Sequence, residues 1–142
     1  MSESDHDHLD PAAQALLAEI LDLARATSEA RAERGDLEPF ALVRAAGQEE
    51  QLILLGDVAQ HLGDASGTGR IATTLIGRYD AEVFAISAQA TASPDGSPAH
   101  PQAREVVRVI VGHRGGASGA TWCELRRTAD GPRLTGMWET AE

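Results

Sequence analysis

The sequence predicts an α+β domain: a mostly antiparallel sheet of five or six strands, with an N-terminal helix and a second helix packed on one face. Three observations predict it. Apolar residues near the N-terminus recur at three- and four-residue spacing, the period of a helix. Beyond Tyr79 the apolar runs are short, rich in β-branched residues and punctuated by glycine and proline, the pattern of strands. Those runs follow one another with no helical pattern between them, so they should pair antiparallel. At 142 residues the chain suits one domain, here expected over 9–142 behind an acidic tail at 1–8.

In chain order, residues 1–8 are polar and acidic with nothing to bury, and are expected to be disordered. Asp10-Pro11 reads as an N-cap followed by proline in the first helical turn. Leu16, Leu17, Ile20, Leu21 and Ala24 then form an apolar stripe, with Glu19, Asp22, Arg25 and Glu29 on the other side. This predicts a helix of about six turns, ended by Gly35. Phe40 to Val43 and Leu52 to Leu55 flank the polar stretch Gly47 to Glu50, which reads as a hairpin. Val58 and Leu62 lie one helical turn apart, and Gly63 to Gly69 reads as a loop before a second helix marked by Ile71, Leu75 and Ile76. Four strands are expected after it: Val83 to Ala90, Val106 to Val111, Trp122 to Thr128 and Leu134 to Trp138. The connections are a polar loop from Ser93 to Pro101, a turn at His113 to Gly116 and a tight turn at Asp130-Gly131.

Composition excludes more chemistry than any motif supplies. All 12 basic residues are arginine, so no lysine is available for a Schiff base, a pyridoxal phosphate anchor or a phosphate loop. Asparagine is missing too, and lysine and asparagine avoidance beside abundant Ala, Gly and Arg resembles the coding bias of a GC-rich bacterial genome. The net charge of -10 opposes nucleic acid and anionic membrane surfaces. It suits a basic protein partner, although acidity also serves solubility alone. Aromatic residues make up only 4%, which leaves few flat walls for stacking a cofactor. A single cysteine, Cys123, allows no intrachain disulfide and no multi-cysteine zinc site. With no apolar stretch of about 20 residues and no secretory pattern at the N-terminus, the expectation is a cytoplasmic protein.

Several stretches imitate functional motifs. Asp5-His6-Asp7-His8 alternates carboxylate and imidazole, and His6 and His8 are the only metal candidates, on a tail that must be ordered before it can coordinate. Gly67 to Ala72 reads G-x-G-x-x-A, but no strand feeds the first glycine and no acid lies about twenty residues on for a ribose. Gly116 to Ala120 falls one glycine short of a nucleophile elbow and lies between two strands. His61, His100 and His113 are scattered. Cys123 reads as a small buried hydrophobe. No catalytic residue, resident metal or cofactor is expected.

Pro39-Phe40-Ala41, the valine-rich runs 81–90 and 104–111 and the turn His113-Arg114-Gly115-Gly116 together resemble small uncharacterised bacterial α+β proteins without an assigned function. The resemblance covers roughly residues 37–128 and implies an α+β fold; it supplies no site residues. Two function classes remain. The first is a non-catalytic module acting through protein contacts, including its own dimer, with Trp122 and Trp138 near the terminal strands as interface candidates. An acidic protein neutralising a basic partner, such as an immunity protein, is one form of it. The second is a cone-shaped domain with a small-molecule pocket in its curved sheet, where Arg108, His113 and Glu124 are the polar groups available to line it.

Overall fold

The computed structural model describes residues 11–45, 47–56, 65–93, 99–116 and 118–141. The acidic tail, with His6 and His8, lies outside the described residues, as do Val58, His61 and Leu62. The element order is α1 (Pro11–Glu33), β1 (Phe40–Ala45), β2 (Gln51–Leu54), α2 (Ala65–Tyr79), β3 (Ala81–Ala92), β4 (Arg104–His113), β5 (Ser118–Thr128) and β6 (Gly131–Ala141). One six-stranded sheet runs in the order β2-β1-β3-β4-β5-β6, and every pairing is antiparallel. The expected α+β class, hairpin and strand meander are all present. The last four strands each extend beyond the apolar runs that marked them.

The two helices do not share a face. Successive residues of a strand point to opposite sides of the sheet. Phe40 and Leu42 of β1, with Val83 and Ala85 of β3, pack with Ile20 and Ala24 of α1. Their neighbours Ala41, Val43, Phe84 and Ile86 pack instead with Ile71 and Leu75 of α2. The central strands are therefore apolar on both sides and buried between two helices. That is the physical reason for the arrangement: one helix layer would leave Val43, Phe84 and Ile86 in water, at about 1.5–3 kcal/mol each. Gly112 is fitted to this second layer, because a Cβ there would stand 2.5 Å from the Phe84 ring.

α1 ends as its sequence predicts. Gly35 takes φ +77, its N–H donates to the Ala32 carbonyl at 2.9 Å, and the Asp36 N–H donates to Arg31 at 2.9 Å. This reciprocal pair satisfies carbonyls that the helix leaves open. The charged side of α1 also fixes it in place: Glu19 accepts from Arg44 of β1 at 2.7 Å, and Glu29 accepts from the Trp138 indole of β6 at 2.7 Å.

α2 begins earlier than expected. Residues 65–69 belong to it, so the loop expected at Gly63 to Gly69 is helical over its described part. Gly67 is buried and starts the stripe Gly67, Ile71, Leu75, so packing outweighs the glycine cost of about 1 kcal/mol. The G-x-G-x-x-A stretch thus lies within a helix rather than on a strand-to-helix turn.

Candidate functional site

Arg108 and Glu124 lie on one side of the sheet on neighbouring strands, and Arg108 borders a small cleft of about 40 Å³ with Ile86, Ala88 and Ile110. Arg108 pairs with Trp122 across β4–β5, and Val106 pairs with Glu124. Val109 and Val111 face α1, so Arg108 points to the other side of the sheet. Arg104 joins that side: its guanidinium lies 5.1 Å from the Trp122 ring and 3.7 Å from Glu124. Arg126 lies 3.8 Å from the other Glu124 oxygen. This is a charge-laced, solvent-facing surface with Trp122 half-buried in it. His113 is five positions from Arg108, on the opposite face and about 16 Å along the strand. The three residues do not form one site.

His113 belongs to a corner where the β4–β5 turn meets the end of α2. Its Nδ1 accepts the Gly115 N–H at 2.9 Å, so the proton of the neutral ring resides on Nε2. Nε2 is buried without a hydrogen bond, 3.5 Å from Glu82. Beside it Arg114 donates to Asp80 at 2.9 Å, and Asp80 adopts φ 52. The bond from the Gly115 N–H to His113 and the Arg114–Asp80 pair hold the turn. Cys123 is fully buried on the α1 side, directly across from Trp138. Trp138 packs on the α1 core, with Arg25 5.7 Å from its ring. Trp138 thus closes the α1 core, and Trp122 lies on the opposite face, which α2 covers at β1 and β3.

The space between α1 and the sheet, where a cone-shaped domain would hold its ligand, is nearly filled. The cavity bounded by Ser28, Arg31, Phe40 and Ser87 measures about 20 Å³, room for a single water. Among the described residues no group of three His, Cys, Asp or Glu is placed to hold a metal ion.

The surface the sequence did not announce is the β2 edge. Leu52 and Leu54 lie opposite Leu42 and Phe40, on the α1 side, yet they are 45% and 53% exposed because α1 does not reach so far. On the other side, a groove of about 370 Å³ runs between β2 and α2. Its floor is Ile53, Leu55, Ile71 and Leu75, and Arg70, Thr74 and Arg78 line its rim. The only signal for it in the sequence was the run Leu52 to Leu55, apolar at every position on a strand that belongs to an edge. No family model, curated protein or solved structure matches the chain.

Proposed function

We propose that the chain is a non-catalytic cytoplasmic interaction module that self-associates through the β2 edge. The exposure of Leu52 and Leu54 on that strand carries the proposal. A sheet edge presents unpaired backbone donors and acceptors, and proteins normally guard it with charge, proline or irregular pairing. The β6 edge has such guards: Pro132 and Arg133 near its start, and a register shift opposite Cys123 to Leu125. β2, with the sequence Gln-Leu-Ile-Leu, has none within the strand. Pairing of β2 with its copy about a twofold axis joins the two sheets and covers both leucines in one step. A basic protein partner has weaker support, because Glu19, Glu50, Glu105 and Asp80 are already engaged by arginines of the chain. Cytoplasmic placement is supported by the one cysteine, which is buried without a disulfide.

Sedimentation of the full chain tests the proposal. The wild type is expected as a dimer, and the double variant Leu52→Asp, Leu54→Asp as a monomer with an unchanged circular dichroism spectrum. A wild type that stays monomeric at high micromolar concentration overturns the proposal.

A further inference from the structure

We infer that the groove between β2 and α2 is a binding site for an amphiphilic anion, an alkyl chain ending in a carboxylate. The groove shares Leu54 with the β2 edge, but Leu52 lies outside it and points to the opposite side of the sheet from the floor residue Ile53, so the two proposals can be tested apart. The volume of about 370 Å³ falls in the range of small-molecule sites. Two stripes on α2 shape it. Gly67, Ile71 and Leu75 recur every four residues and face the sheet; Arg70, Thr74 and Arg78 recur at the same spacing along the mouth. The result is an apolar trench with a guanidinium toward each end, about 12 Å apart along the helix.

Charge identifies the occupant. In a chain of net charge -10, Arg44 is engaged by Glu19 and Glu50, Arg114 by Asp80 and Arg127 by Glu105. Among the described residues, Arg70 and Arg78 have no ion-pair partner and no acidic side chain lines the groove. A cationic or neutral ligand would leave both guanidinium groups unanswered. The two arginines are not equivalent. Arg78 lies in the last turn of α2, where the helix carbonyls already offset its charge. Arg70 has no such neighbour, so it takes the carboxylate, by a bidentate contact, while the chain lies over Ile71 and Leu75 toward Tyr79.

The test is calorimetric titration of the full chain with decanoate, 1-decanol and decyltrimethylammonium, each below its aggregation threshold. Decanoate is expected to bind at one per chain and more tightly than either analogue. Arg70→Gln should weaken decanoate by about tenfold or more, the effect of losing a charge-assisted hydrogen bond, and leave 1-decanol unchanged. Arg78→Gln should weaken it less. Thr74→Trp, which fills the mouth from an exposed position, should abolish binding of both decanoate and 1-decanol without altering thermal unfolding. The Leu52→Asp variant, altered outside the groove, should bind decanoate as the wild type does whether it sediments as a monomer or a dimer, which separates failure of this site from failure of the dimer. No saturable decanoate binding, equal binding of the cation, or indifference to Arg70→Gln each overturns the inference. So does an acidic peptide that binds the groove when decanoate does not.

Discussion

Ser28 of α1 and Ser87 of β3 are both buried, and their hydroxyls meet at 2.8 Å across the main helix–sheet interface. Each is the other's partner in a core built of Ile, Val, Ala and Phe. Truncating one strands the other, and an unpaired buried hydroxyl costs about 1–3 kcal/mol. Removing both strands nothing. Ser28→Ala and Ser87→Ala should therefore each lower stability to urea by about that amount, while the double variant loses much less than their sum. Additive losses would show that the hydroxyls act independently. Neither serine stood out in the sequence, because pairing across 59 residues leaves no local mark. A different residue-scale fact was open to a parity argument. Arg108 and His113 are an odd number of positions apart on one strand, so they face opposite sides and were never fit to line one pocket.

Among the elements, α1 was the most legible, since its stripe, its proline start and its glycine end all agree. The cap makes a clean prediction. A Cβ at Gly35 would meet nothing within 4 Å, so the cost of Gly35→Ala comes from φ +77 alone. Stability should fall by about 1 kcal/mol in urea or thermal unfolding, and Gly35→Asn should recover part of the loss. An unchanged midpoint for Gly35→Ala would mean that the helix end relaxes into another turn. The opposed placement of the helices was also written in the sequence, in a different signal. Phe40 to Val43 and Val83 to Ile86 are apolar without alternation, the pattern of strands covered on both faces. The expectation of both helices on one face did not use this signal. The start of α2 was hidden for another reason: Gly67 and Gly69 have loop-like composition, and the buried stripe that Gly67 begins is what draws the segment into the helix.

At the scale of the whole molecule, electrostatics pulls in two directions as pH falls. The net charge of -10 at pH 7 strains the compact state by self-repulsion, and acidification toward the pI near 4.8 relieves it. Specific pairs oppose that trend. Glu50 is held below its usual value of 4.5 by its own backbone N–H and by Arg44, and Glu105 is held below 4.5 by the hydrogen bond from Arg127. A carboxylate with a depressed folded pKa contributes stability that is present above its unfolded value and lost as pH falls through the folded one. Both groups are exposed, so each contribution is small and screened by salt. Relief of repulsion therefore governs from pH 7 down to about 5, and loss of the pairs joins in only below about 4.5. Urea midpoints measured from pH 7 to pH 3 should rise to a maximum between about 5 and 6 and then fall. Added salt should raise the midpoint at pH 7 and do little near the pI. A midpoint that declines steadily from pH 7 would show that the ion pairs, rather than the excess of negative charge, dominate this surface.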